Sequence, residues 1–331
     1  MRCLVTGGTG FVGTVLVKQL VSRYGAENVI CIAKQDEDEI ERIGRETLDT
    51  LGVRIITADI REWQPDPQEI PEFDVLFHLA ASIDNLASGH STNDVGTQRL
   101  LDVLGKRLQG TRVIYTGSTA SMDRKGYADA PLNEETPCTP RTEYGETKLR
   151  GEEIVESTST RFGYSYTIVR LGLVYGPNYR EEGFFGLFTQ WIKQGHFLAR
   201  IRWPARTGII YVDDVSEVLI DFATNPKAEN ELFCAATESP RICEIVELMA
   251  LATGSPYKPI TLPNWIWRAQ THLLCIPGLF NVMPNFLFGH FWRLSHMVQD
   301  GLWTDGSKLK RAYGKTLLSA DEAVKRMYGE R

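Results

Sequence analysis

Tyr144 and Lys148 stand four residues apart in Tyr144-Gly145-Glu146-Thr147-Lys148, a spacing that puts both side chains on one face of a helix. A free phenol gives up its proton only at about pH 10. A neighbouring ammonium favours the phenolate and is expected to bring that value down. Such a pair can protonate a carbonyl oxygen or take the proton of an alcohol. Ser118, in Thr116-Gly117-Ser118-Thr119, is placed to hydrogen-bond the same oxygen. A tyrosine and a lysine at this spacing also occur as ordinary surface pairs, so their meaning depends on the elements around them.

Thr6-Gly7-Gly8-Thr9-Gly10-Phe11-Val12-Gly13 joins an apolar run at 2–6 to a stretch of helical spacing, Val12, Leu16, Leu20 and Val21. Gly7, Gly10 and Gly13 are three apart, where glycine permits a tight turn, close approach of a pyrophosphate and close helix packing. The helix start offers N–H groups and a positive dipole end to phosphates. Between a first strand and a first helix, Gly7, Thr9, Gly10, Phe11, Val12 and Gly13 read as a dinucleotide turn. No Gly-Lys-Ser/Thr follows, which excludes a P-loop. An acid about 20 residues further on suits NAD, and a basic residue suits the 2′-phosphate of NADP. That position falls on Ala33 with Lys34 next, so NADP is the expected cofactor. NAD is the alternative, since the acids from Asp36 to Glu41 would repel a 2′-phosphate that faced them. Asp59 is placed to accept from the adenine amino group or to serve in a turn.

Further apolar runs at 29–32, 53–57, 75–79, 113–116 and 166–171 read as strands, with helices near 93–108 and 144–160. Continuous apolar strands alternating with helices imply a parallel sheet covered on both faces, a Rossmann-type doubly wound α/β fold. Runs at 208–212 and 231–235 are expected to return to the sheet. The expected division is a dinucleotide domain over 1–175 and 207–240, and a smaller, mostly helical substrate lobe over 176–206 and 241–331.

The chain has 331 residues, enough for a large core without disulfide or metal staples. Its net charge of −6 argues against a protein built to hold a nucleic-acid backbone. The six cysteines form no CxxC pair and no zinc spacing with the histidines, so no metal site is expected and a reduced cytoplasmic setting fits. The first motif begins at residue 2, so no signal peptide is expected. From Ala269 to Trp292 there is no Asp, Glu, Lys or Arg, but Pro277, Gly278, Pro284 and Gly289 interrupt the run. The expectation is a core or lid segment, with interfacial membrane contact the alternative and a spanning helix disfavoured.

With these motifs in this order the chain resembles the extended short-chain dehydrogenase/reductase family over nearly its whole length. The matching segments are TGGTGFVG at 6–13, TADI at 57–60, DVLFHLAA at 74–81, NDVGT at 93–97, YTGS at 115–118, YGETK at 144–148, VRLGLVYGP at 169–177 and YVDDV at 211–215. The resemblance implies that Ser118, Tyr144 and Lys148 are catalytic, and that Tyr144 and Lys148 also contact the cofactor's nicotinamide end. It adds Asp59, Ile60, Leu79, Ala80, Ala81, Leu171, Leu173 and Val174 as cofactor contacts, and implies a homodimer through the helices near 93–108 and 144–160. Without it, His78 reads as a core histidine and Asn93 as a helix cap.

Within that family the residues lean away from nucleotide-sugar enzymes. Thr119 and Ala120 stand where dehydratases carry Asp-Glu, Leu173 replaces the usual Asn, and Gly208 stands where an acid often precedes the HVDDV-like motif. The stretch 78–101 looks like that of 3β-hydroxysteroid dehydrogenases and dihydroflavonol reductases. The expected protein is therefore an NAD(P)-dependent oxidoreductase acting on a carbonyl or secondary alcohol of a fairly apolar small molecule. Its rivals are a nucleotide-sugar epimerase using the same three residues and a non-catalytic dinucleotide sensor or scaffold.

Overall fold

The computed structural model describes residues 1–35, 38–65, 70–83, 89–122, 130–274 and 294–329. Strands β1 (Cys3–Thr6) and β4 (Val75–His78) are buried at every position, as strands covered on both faces must be. With β2 (Val29–Ala33), β3 (Arg54–Thr57), β5 (Arg112–Ser118), β6 (Ser165–Leu171) and β9 (Glu231–Ala235) they form one parallel sheet in the order β3-β2-β1-β4-β5-β6-β9. Val5 of β1 lies opposite Cys31 on one side and Phe77 on the other. The chain winds outward through β2 and β3, then crosses back to β4. This reversal opens a crevice at the C-terminal ends of β1 and β4, the place where doubly wound sheets hold ligands.

Helices α1 (Phe11–Tyr24) and α7 (Val212–Phe222), with the helix Ser307–Tyr313, pack Leu16, Leu20, Leu219, Phe222 and Leu309 into one core cluster. Helices α3 (Thr97–Leu104) and α4 (Glu143–Phe162) bring Leu100, Leu104 and Val155 into a second, with Ile168 of β6. A third cluster joins Phe185 and Phe188 of α5 (Phe184–Lys193), Ile245 and Met249 of α8 (Ile242–Ala252), Trp203, Trp267 and Met327.

Two elements depart from the sequence expectation. The run at 231–235 joins the sheet, but the run at 208–212 does not. Its strand β8 (Ile209–Tyr211) pairs instead with β7 (Leu173–Tyr175) in a separate two-stranded sheet, and Val212 already begins α7. The cause is at Gly172, where the chain leaves β6 and Leu173 N donates to Gly208 O at 2.8 Å. The helix near 93–108 opens with a wide turn over Thr92–Gly96 and closes with a tight one over Gly105–Leu108. No helix among the described residues is long and apolar enough to cross a membrane. Asp36 and residues 275–293, most of the charge-free stretch, lie outside the described residues.

His78, at the end of β4, is the core histidine the sequence allowed, and it bridges three elements. One ring nitrogen meets Thr6 Oγ1 of β1 at 2.7 Å, the other Thr97 Oγ1 of α3 at 2.9 Å. Burial, with the charge of Lys148 adding to it, pushes its pKa down to about 3. Below its ordinary value of about 6.5 the unfolded chain takes up a proton that folded His78 refuses, so its contribution fades as pH falls towards 3. Urea unfolding at pH 7 and pH 5 should show the wild type losing about 2 kcal/mol more than His78→Asn between those values. Parallel losses in the two proteins would contradict this.

Candidate active site

Helix α4 starts at a fixed point. Thr142 caps it, its Oγ1 accepting from Gly145 N at 3.0 Å. Gly145 lies flat against the turn after β5, where an added Cβ would sit 2.5 Å from Ala120 O. This contact brings Tyr144 and Ser118 to one wall of the cleft. Burial raises the Tyr144 pKa above the usual phenol value, and the neighbouring Ser118 hydroxyl opposes that rise. Lys148 is buried one turn further on, with Nζ 4.4 Å from the centre of the Tyr115 ring. Burial lowers its pKa to about 8, with the charge of Glu152 opposing. The expected depression of the Tyr144 pKa by the ammonium is therefore not found. Loss of solvent outweighs the charge for the phenol, and the ammonium rests on Tyr115.

Glu152 continues the same helix face, four residues after Lys148. Its carboxylate receives Arg170 Nε at 3.0 Å and Nη2 at 2.7 Å, with both side chains nearly inaccessible at 3% and 6%. Arg170 Nη2 also reaches Cys138 Sγ at 3.2 Å. The pair ties α4 to β6. Behind the face, Asn93 is not a helix cap as the sequence suggested. Its side chain accepts from Ser82 N at 2.9 Å and donates to Ser82 O and Thr147 Oγ1, both at 3.0 Å.

A cleft of about 360 Å³ opens at the crevice. Every residue expected to be catalytic or to contact the cofactor lies on its wall. Gly7, Thr9, Gly10, Phe11, Val12 and Gly13 come from the first turn, and Lys34, Asp59 and Ile60 from the ends of β2 and β3. Leu79, Ala80 and Ala81 follow β4, Ser118 ends β5, Tyr144 and Lys148 come from α4, and Leu171, Leu173 and Val174 from β6 and β7. The sequence reading missed Ile83, Thr92, Tyr179, Arg180, Phe184 and Phe185, which line the same cleft. Phe184 and Phe185 begin α5, but the sequence motifs that mark the cleft end before it, and Ile83, Tyr179 and Arg180 lie in connections that no period marks. Asp59 is partly occupied, accepting from Arg61 N at 2.9 Å and Arg61 Nε at 3.0 Å.

The first turn suits a phosphate. A Cβ on Gly13 would fall 2.1 Å from Gly7 O, so the turn closes only with glycine there. Gly10 caps α1 without a side-chain hydrogen bond, and no acid stands in the first helical turn. The N–H groups of α1 are thus left to a ligand in the cleft.

A doubly wound parallel sheet with a glycine turn at its switch point defines a dinucleotide-type α/β protein. The sequence profile of the NAD dependent epimerase/dehydratase family matches residues 3–234, and the chain belongs to that family. It is 28% identical over 286 residues to a UDP-glucose 4-epimerase of Mycolicibacterium smegmatis, covering 78% of this chain and 85% of the other. It is 29% identical over 194 residues to the 3beta-hydroxysteroid-dehydrogenase/decarboxylase isoform 2 of Arabidopsis thaliana, covering 54% of this chain and 33% of the other. In fold it is similar to the UDP-glucose 4-epimerase of Thermotoga maritima, with a TM-score of 0.73 and 22% identity over 99% of this chain and 98% of that one.

Two measurements check the site's electrostatics. In protein labelled at lysine Cε, one NMR resonance, absent from Lys148→Met, should titrate with a midpoint near pH 8. A Lys148 signal that moves only above pH 10 would contradict the burial argument. Arg170→Met leaves Glu152 buried without its partner and should cost about 3–5 kcal/mol in urea unfolding. A loss below about 1 kcal/mol would mean the pair is solvated.

Proposed function

We propose that the protein is an NAD(P)-dependent oxidoreductase that moves a hydride between nicotinamide and the carbonyl or secondary-alcohol carbon of a fairly apolar small molecule. The observation that carries this reading is that Ser118, Tyr144 and Lys148 share the wall of the cleft that the glycine turn also lines. A nicotinamide dinucleotide bound there supplies or accepts the hydride. Tyr144, its pKa raised by burial, keeps its proton at neutral pH and is set to protonate a carbonyl oxygen. Ser118 steadies that oxygen. Lys148, with a pKa near 8, is mostly charged at pH 7 and would hold the ribose.

The substrate would lie against Ile83, Leu173, Phe184 and Phe185, an apolar wall. Phe184 and Phe185 belong to the lobe we assign to 176–206 and 241–331, and Ile83 and Leu173 to a dinucleotide domain of 1–175 and 207–240. At Gly208 an added Cβ would meet Thr304 Cβ at 2.7 Å, so the acid often found there in nucleotide-sugar enzymes has no space. Lys34 at the cleft wall supports NADP, while the NAD-bound Bacillus cereus UDP-glucuronic acid 4-epimerase, similar in fold, supports NAD. A second reading, nucleotide-sugar epimerisation with the same three residues, is favoured by the likeness to UDP-glucose 4-epimerase over most of the chain. We also propose a homodimer through α3 and α4, where Val95 is 55% exposed at the start of the pair. Sedimentation equilibrium checks it, with a monomer at micromolar concentration as the contrary result.

Tyr144→Phe should lower turnover of an apolar ketone with NADPH by about 10²–10⁴-fold while dinucleotide affinity changes little. Lys148→Met should damage both. A fully active phenylalanine variant would remove Tyr144 from the chemistry. Interconversion of UDP-sugars by the wild type, with no net reduction of any ketone, would instead establish the epimerase reading.

A further inference from the structure

Arg180 lies in none of the sequence motifs, yet it lines the same cleft as Thr9, Gly10 and Lys34. Its Nη1 donates to Asp38 Oδ2, 142 residues away in the chain. Asp38 is the N-cap of the helix Glu39–Thr50, its other oxygen accepting from Glu41 N at 2.9 Å. That helix rests on the glycine turn, since a Cβ on Gly44 would fall 2.0 Å from Thr9 O. The Asp38–Arg180 pair therefore joins a cleft-lining residue to the helix that rests on the turn read above as the phosphate site.

Two features make this more than a surface ion pair. Arg180 Nε is buried and has no hydrogen-bond partner among the described residues, a donor that costs free energy until something accepts from it. The bond to Asp38 is itself weakly held, because both side chains are 34% exposed and pairs of that kind are worth little. A guanidinium with one orphaned donor and one exchangeable partner, facing a cleft lined by backbone N–H groups, is suited to a phosphate, which it can grip with two parallel bonds.

We propose that Arg180 is a phosphate ligand of the bound dinucleotide, held ready by Asp38 and passed to the phosphate when the dinucleotide enters. This rests on the dinucleotide reading above and adds a residue and an exchange to it. The phosphate is either the pyrophosphate, common to both cofactors, or the 2′-phosphate of NADP.

The test is equilibrium titration of the full chain with NADH and with NADPH, by calorimetry, for wild type, Arg180→Ala, Asp38→Asn and the double variant. Asparagine caps helices as well as aspartate does, so Asp38→Asn removes the charge and leaves the helix start intact. Arg180→Ala should weaken binding by about 10- to 100-fold. Loss for both dinucleotides assigns the pyrophosphate, and loss for NADPH alone assigns the 2′-phosphate. Asp38→Asn should tighten binding, because the competing carboxylate is gone, and that gain should vanish in the double variant. Arg180→Ala with unchanged affinity for both dinucleotides overturns the proposal. So does an Asp38→Asn variant that binds as weakly as Arg180→Ala, the mark of a purely structural strap. A wild type that binds neither dinucleotide overturns the underlying reading, and this inference with it.

Discussion

The buried pair of Glu152 and Arg170 holds helix α4 against the sheet, and the placement of Tyr144 and Lys148 depends on it. Two charges withdrawn from water carry a large desolvation cost, which only close, multiple hydrogen bonds offset. Here the carboxylate accepts from both Nε and Nη2 of the guanidinium, and Cys138 takes a further contact from Nη2. Such a contact tolerates little sliding, because a helix shifted by one turn would leave both charges unpaired. Gly117 on β5 completes the fit, since a Cβ there would lie 2.3 Å from Glu152 Oε1. The register of α4 on β5 and β6 is thereby fixed at one end, and the Thr142 cap with the Gly145 contact fixes it at the other.

Between those two anchors the helix carries its chemistry on one stripe. Tyr144, Lys148 and Glu152 follow at intervals of four; the phenol and the ammonium reach the cleft, and the carboxylate is buried behind them. Depth and charge then shape each group differently. The phenol is raised by burial and the ammonium lowered by it, while the carboxylate keeps the ammonium from falling further. Lys148 is left close to the range in which small changes in its surroundings alter its charge.

Much of this was legible in the sequence, and for identifiable reasons. Strands covered on both faces must be apolar throughout, so β1, β2, β4 and β5 announced themselves. The glycine turn is constrained by backbone contacts that admit no side chain, and Tyr144 with Lys148 follows helical period. What escaped lacks local pattern. Glu152 and Arg170 are 18 residues apart and meet only because β6 returns beside β5. The two-stranded sheet of β7 and β8 depends on a close approach at Gly172 and Gly208 that no periodicity encodes. Asn93 resembles a cap in sequence, and only the tertiary fold places Ser82 and Thr147 around it. The sign of the Tyr144 shift failed because adjacency along a helix does not tell how much water remains.

A net hydride transfer in this cleft, as proposed above, requires the dinucleotide to leave after each turnover. An epimerase returns the hydride to its own substrate and can retain its cofactor. The most direct measurement is to denature the purified protein and identify any dinucleotide released. The account predicts protein that emerges with little bound cofactor and then takes up NADPH in preference to NADH. Near-stoichiometric release of NAD would contradict it, pointing to a retained cofactor and to epimerisation.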